Sequence, residues 1–364
     1  EHSLWGPPEE AVAALAERDL LPILNVGLLP CEDLSILAGC QVVDLRLHAG
    51  QNSLTGAGNL PRLRNLGLFA SNVTDLSPLA EAELLETFCF NGPAIPDFSP
   101  LSAPPAGGAA GRGPPACRPE ADRLLSCWAG LDIVSGVVMG NRSLEPDHHC
   151  YPAPMGYCIG LDSHVLLEHL GQDRAVQLVE ENLRRPQCVG IKLYPGYNHQ
   201  YVSDPMYAPF YELARAYRKP VAVHMGQTAG SMGKLKYSHP LTLDEVAADW
   251  PDVQFVMCHF GNPFLADAAA VLEKNPNVCA DLSGLLEGPV DLDAYFVRQR
   301  AYVDQLRCWM EYVEDWDKFL FGTDHPAVDV ANYVEFIRRL VPEEHHQAVF
   351  FQNADRVYRL GLED

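Results

Sequence analysis

Between Pro220 and Gly261 the chain twice runs through a short apolar segment that ends in a histidine. The two segments are Pro220-Val-Ala-Val-His-Met-Gly and Val253-Gln-Phe-Val-Met-Cys-His-Phe-Gly261. Short runs of Val, Ala, Phe and Met closed off by Pro or Gly read as strands buried on both faces. His224 and His259 then stand at the C-terminal ends of parallel strands. In an α/β barrel that end is the mouth where active sites form.

The same grammar covers everything from Arg118 onward. Strand patterns are read at Ile133–Met139, Tyr157–Leu161, Cys188–Leu193, Val221–His224, Phe255–His259, Val278–Leu282 and Phe319–Thr323. Helical patterns fall between them, among them Ala175–Arg184, Met206–Tyr217, Thr242–Ala248, Leu265–Lys274 and Tyr295–Tyr312. Strands separated by helices give right-handed βαβ units and a parallel sheet. The fold expected for 118–364 is therefore α/β, a TIM-like (β/α)8 barrel. With seven strands counted, it is incomplete or draws an atypical first strand from earlier in the chain. Successive strands end in Lys192 and Tyr194, His224, His259, Asp281 with Ser283, and Asp324 with His325. One buried histidine is usually a satisfied core residue; a series of reactive types on consecutive strand ends points to a site.

The first hundred residues carry a repeat instead. Leu24-x-Val26, Leu45-x-Leu47, Leu66-x-Leu68 and Phe88-x-Phe90 recur every 21 or 22 residues, and Asp75-Leu-Ser-Pro-Leu79 returns as Asp97-Phe-Ser-Pro-Leu101. That period with Leu-x-Leu strands is expected of a leucine-rich-repeat-like segment over about 20–101, whose units must stack to bury their apolar faces. The competing reading makes Val42–His48 the first barrel strand, with Arg46 where a metal-binding histidine would stand and His48 as the remaining candidate ligand. Residues 102–117 are rich in Gly and Pro and read as a flexible linker, dividing 1–101 from 118–364.

Composition narrows the partners. A formal charge of -22 argues against nucleic acid or an anionic membrane. No apolar run approaches the ~20 residues that span a bilayer, and no basic n-region followed by an apolar h-region opens the sequence. The chain begins with Glu rather than Met, as a fragment or processed form would. Eleven cysteines without zinc-finger spacing, several inside strand-like runs, suit reduced thiols in a cytoplasmic protein. The partner expected is a small molecule. A protein partner through the repeats, and self-association, are left open.

From about Ala121 onward the chain resembles the amidohydrolase superfamily, in its amidohydrolase-related branch of metal-dependent hydrolases and decarboxylases. The resemblance is carried by Gly190-Ile-Lys-Leu-Tyr-Pro, Val221-Ala-Val-His-Met-Gly, Ser238-His-Pro-Leu, Cys258-His-Phe-Gly, Ala280-Asp-Leu-Ser-Gly, Leu320-Phe-Gly-Thr-Asp and Asn353-Ala-Asp-Arg-Val, in order. It implies a divalent metal, most often zinc, on His224 and Asp324, with Asp324 also acting as general base. It implies that His259 polarises the substrate carbonyl and moves the proton. Lys192 would bind a substrate carboxylate or, carboxylated, bridge a second metal; otherwise it forms an ion pair inside the barrel. Tyr194, His239 and His325 are the expected substrate-binding residues, with Gly226–Tyr237 a lid or a plain loop. Asp281 is read as a helix cap or as part of the chemistry. The family's strand-one His-x-His pair does not occur in this sequence. The expected activity is metal-activated hydrolysis of a C–N, ester or lactone bond in a small carboxylated substrate. The alternatives are non-oxidative decarboxylation, a catalytically impaired barrel serving as a binding scaffold, and a fusion to a truncated barrel.

Overall fold

The computed structural model describes residues 2–5, 23–27, 33–37, 42, 44–47, 53–69, 73–80, 82, 84–85, 87–91, 125, 128, 130–141, 143–161, 170–229, 233–325 and 327–362. The chain divides into two compact units, Glu1–Gly113 and Pro114–Asp364. The expected linker, residues 102–117, lies outside the described residues.

In the first unit five short strands form one parallel sheet in chain order: β1 (His2–Trp5), β2 (Ile23–Gly27), β3 (Asp44–Leu47), β4 (Asn65–Phe69) and β5 (Thr87–Asn91). The register follows the sequence repeat. Leu24 pairs with Leu45, Leu45 with Leu66, and Leu66 with Phe88. The turns between strands repeat as well. Asp33 accepts the Ser35 N–H at 2.8 Å, Asp75 that of Ser77 at 2.8 Å, and Ser53 that of Thr55 at 3.0 Å. Each short polar side chain satisfies a turn N–H that the sheet cannot reach, and the Leu that follows it (Leu34, Leu54, Leu76) is buried. Those leucines join Leu45, Leu47, Leu66 and Leu68 in a single core.

This arrangement corrects one expectation. Residues 44–47 do not begin the barrel; they are β3, held between β2 and β4 at the repeat's own spacing. His48 lies outside the described residues.

The second unit is a seven-stranded parallel sheet with strictly sequential neighbours: β6 (Gly136–Gly140), β7 (Met155–Leu161), β8 (Cys188–Leu193), β9 (Val221–His224), β10 (Phe255–Cys258), β11 (Val278–Asp281) and β12 (Phe319–Leu320). It is a TIM-like α/β architecture one strand short of the closed eight among the described residues. Period-two alternation sorts the side chains. Val221, Val223, Phe255, Met257, Val278 and Ala280 face the surrounding helices in the main core. Ala222, Val256, Cys258, Cys279 and Leu320 form a second cluster on the other face, joined there by Val357 and Tyr358 of the helix Asn353–Tyr358. By the same alternation His224, two residues after Ala222, and Asp281, two after Cys279, share that inner face.

Three expected boundaries shift for local reasons. β10 ends at Cys258 because His259 turns to φ 62°. β12 has two residues because the Phe321 N–H bonds to Val349 O at 2.8 Å, outside the ladder. The helix read over Tyr295–Tyr312 is two, Leu292–Arg298 and Arg300–Val313, breaking at Gln299.

Candidate active site

β9 and β10 pair with His224 opposite Cys258, so the next residue, His259, emerges beside the first imidazole. His259 Nε2 lies 3.1 Å from His224 Nδ1, with the rings edge to face at 4.7 Å. The other His224 nitrogen, Nε2, donates to the Gln227 carbonyl at 2.9 Å. His259 Nδ1 meets Ser283 Oγ at 2.9 Å and Ser283 O at 3.2 Å. Asp281, at the end of β11, accepts from the N–H of His259 (3.0 Å), the N–H of Ser283 (3.1 Å) and the Ser283 hydroxyl (2.5 Å). A Cβ at Gly284 (φ 64°) would stand 2.8 Å from His259 Nδ1 and 3.5 Å from Asp324 Oδ2, so glycine there lets ring and carboxylate share the cup. His259, Phe260 and Asp324 all hold left-handed backbone (φ 62°, 46° and 60°). Such strain in non-glycine residues gathers at functional sites.

The walls are aromatic. Tyr194 and Tyr197 flank the His224 ring at 6.0 and 5.0 Å, and the Tyr194 hydroxyl donates to Asn141 Oδ1 at 2.8 Å. The loop after His224 is tied down over its described part. Ala229 N–H donates to the Tyr197 hydroxyl at 2.7 Å, and Gly226 N–H to Ser238 O at 2.6 Å. A Cβ on Gly226 would lie 2.1 Å from Asn262 O, so only glycine permits this approach.

Burial dominates the electrostatics. It depresses His224 to a pKa of about 3, with the neighbouring His259 and Lys192 adding to the shift, so the His224 ring is neutral. Burial works against ionisation of Asp281, but His259 and Lys192 outweigh it and hold the carboxyl below its usual range. Lys192 is 3% exposed and places Nζ 2.6 Å from Cys258 Sγ. Burial opposes its charge, yet Cys258, Tyr194 and Asp281 together hold the ammonium above the usual lysine range. The Cys258 thiol is pushed up by burial and by Asp281 and stays protonated, which leaves Asp281 as the true counter-charge.

The structure therefore brings together His224, His259 and Asp324 from the sequence reading, with Tyr194 beside them. Lys192 sits beneath, against Cys258, as a charge inside the sheet. His239 is turned to Asp267 (Nε2 to Oδ2, 3.4 Å) and packs at a tilt against Phe264. His325 is exposed, with its N–H on Thr323 Oγ1 at 3.2 Å. Tyr197, Gln227 and Asn141 were missed, since nothing in their sequence neighbourhoods marks them. Ser283 stands among the strand-end residues of the sequence reading, without a role of its own there. Its signal was the Asp-x-Ser that follows an apolar strand.

These donors do not fit the divalent ion that the family resemblance implies. Both His224 nitrogens are engaged by Gln227 and His259, and no three His, Cys, Asp or Glu side chains among the described residues converge on a metal position. A catalytic zinc needs about three protein ligands and an open position.

The sequence model of the amidohydrolase family matches residues 167–360. The chain belongs to that family. No curated protein matches it. Among solved structures, a TIM-barrel protein of Bordetella bronchiseptica is similar at 19% identity, over 66% of this chain and 82% of its own, with a TM-score of 0.51. A probable 2-pyrone-4,6-dicarboxylic acid hydrolase of Acinetobacter baumannii is similar at 13% identity, over 66% and 88%, with a TM-score of 0.46. A 5-carboxyvanillate decarboxylase of Sphingomonas paucimobilis follows at 16%, over 57% and 68%, with a TM-score of 0.41. The first likeness supports the TIM-barrel fold; at these identities none of the three fixes the reaction. No helix among the described residues is long and apolar enough to cross a membrane.

Proposed function

We propose that this family member hydrolyses a C–N, ester or lactone bond of a small carboxylated substrate by acid–base chemistry at the barrel mouth. The observation that carries the reading is the 3.1 Å His259–His224 contact, with Asp324 and His259 both close to the point a Cβ on Gly284 would occupy. Substrate enters by parting the imidazole pair, the longer of the two hydrogen bonds to His224. The carbonyl oxygen takes the His259 Nε2–H, and the exposed Asp324 carboxylate accepts the proton of the attacking water. Positioned groups of this kind contribute about 10²- to 10⁴-fold each. Non-oxidative decarboxylation uses the same proton donor, delivering its proton to the carbon that loses carbon dioxide.

The test is a panel of esters, lactones and amides of small carboxylic acids, scored separately for acid release and for carbon dioxide, with and without chelator. Chelator-insensitive hydrolysis that His259→Gln abolishes supports the reading. Carbon dioxide release alone selects the decarboxylase. Activity that needs zinc or manganese, with metal retained by wild type and lost in His224→Ala, restores metal on His224 and Asp324. Inertness throughout leaves the scaffold.

We read the first unit as a leucine-rich-repeat-like segment, on the match between its strand register and the 21- or 22-residue repeat, and as a surface for a protein partner. Buried free thiols at Cys158, Cys188, Cys258 and Cys279 favour a reducing compartment such as the cytoplasm.

A further inference from the structure

Two tyrosines flank the His224 ring, and their hydroxyls are engaged differently. Tyr194 gives its hydrogen to Asn141 Oδ1 at 2.8 Å. Tyr197 only receives. The Ala229 N–H donates to its Oη at 2.7 Å, and among the described residues no acceptor takes the hydroxyl hydrogen. A phenol has one hydrogen to give, and this one is held in place. Tyr197 belongs to the single helical turn Pro195–Asn198, just after β8. That turn is fastened by Asn198 Nδ2 on Leu161 O at 2.9 Å and by the Lys234 N–H on Gly196 O at 2.9 Å. The half-buried Tyr197 ring meets the His224 ring edge to face at 5.0 Å, as the His259 ring does at 4.7 Å. The Asp324 carboxylate lies close enough to act electrostatically on the Tyr197 hydroxyl, with no hydrogen bond between them. A fixed donor without an acceptor and an exposed carboxylate thus share the mouth with the imidazole pair.

We propose that Tyr197 is a further catalytic residue, whose hydroxyl is the second donor, beside His259 Nε2, to the oxygen that turns negative when the substrate carbonyl is attacked. In that step the water oxygen bonds to the carbonyl carbon, one water proton passes to Asp324, and the carbonyl π pair moves onto its oxygen. His259 Nε2–H and Tyr197 Oη–H hold that oxyanion. On collapse the pair re-forms the carbonyl, the bond to the leaving oxygen or nitrogen breaks, and the leaving atom takes the proton from Asp324. The donor is preorganised by the Ala229 N–H and by the fastened turn, so it need not reorient as charge develops. This inference deepens the hydrolase reading and rests on it for the reaction. That Tyr197 holds an oxyanion is tested without turnover.

The probe is phenylphosphonate, a stable tetrahedral oxyanion, titrated calorimetrically into the full chain. Wild type is expected to bind it. Tyr197→Phe and His259→Gln are each expected to weaken binding about tenfold or more, because each removes a hydrogen bond to a charged group. Phenylalanine keeps the ring against His224, and circular dichroism checks the fold. No binding by wild type overturns the proposal, as does binding that Tyr197→Phe leaves unchanged. Weakening by Tyr197→Phe but not by His259→Gln overturns the pairing of the two donors. With a panel member that is turned over, Tyr197→Phe is expected to lower kcat about 10²- to 10³-fold with KM within about threefold of wild type. A hydroxyl that only anchors Ala229 would move KM and spare kcat, and that result overturns the catalytic role. If no panel member is turned over, the hydrolase reading fails, and the phosphonate titrations still decide whether Tyr197 holds an oxyanion.

Discussion

In the first unit the buried side chains described are apolar and recur at a fixed interval, while in the second the inner layer holds Lys192, His224 and Asp281 on β8, β9 and β11. Both units are parallel sheets of short strands. The difference lies in what each strand end is allowed to be. Where every strand repeats its neighbour, a ladder of like residues buries itself and no strand is distinguished from the next. Where the strands end in reactive polar residues, burial forces the groups to satisfy one another. That need yields the network from Gln227 through the two imidazoles to Asp281.

The largest effect expected from this contrast is on turnover. With a substrate from the panel in hand, His259→Gln should lower kcat/KM by about 10²- to 10⁴-fold. Leu66→Ala should leave turnover per folded molecule unchanged and remove about 2–5 kcal/mol of stability. Comparable losses of turnover from both would dissolve the distinction between the units. Next, Tyr358→Ala should cost about 3–5 kcal/mol by emptying the inner layer, whereas Tyr358→Phe keeps most of the packing. Equilibrium denaturation of the two variants checks this, and equal destabilisation would mean that the hydroxyl rather than the ring matters.

A smaller effect comes from pH. His224 is held neutral in the fold, with a pKa of about 3 against 6.5 for the free side chain. Between those values the unfolded chain takes up a proton that the folded chain refuses. Stability therefore falls as pH falls through that window, by at most about 1.4 kcal/mol per unit from this ring. Asp281, with its pKa depressed, contributes stability above its unfolded value and gives it up at lower pH still. Denaturation midpoints measured downward from neutrality should show the slope, and His224→Gln should flatten it; an unchanged slope in that variant would place the acid sensitivity elsewhere. The smallest effect is at Gly284, where alanine adds about 1–2 kcal/mol of left-handed strain and pushes the His259 ring. A ring-nitrogen spectrum identical to wild type would show that the cup has slack there.

Strand positions were legible because fully buried parallel strands read as apolar runs closed by Gly or Pro. β8 and β9 match the sequence reading at both ends. The repeat was legible too, since a register of one strand per period leaves the same residue type at each rung. What could not be read was tertiary. Val42–His48 fits a repeat strand and, as a competing reading, a first barrel strand, and only the pairing of residues 44–47 decides. Lys192 stands at a strand end like a ligand, but its partner Cys258 is 66 residues away. Tyr197 and Gln227 reach His224 by an edge-to-face ring contact and by a main-chain carbonyl, which no residue-type pattern announces.

The tyrosine at 358 shares the inner cluster with Cys158 of β7, some two hundred residues away along the chain. While this protein is being synthesised, β6 to β12 can therefore all leave the ribosome before the ring that fills their inner layer has been made. Until then the nascent sheet exposes its cysteine-lined face. The inner layer is thus completed late in folding, so chaperone dependence should fall at the step that admits the helix Asn353–Tyr358 rather than at the growth of the sheet.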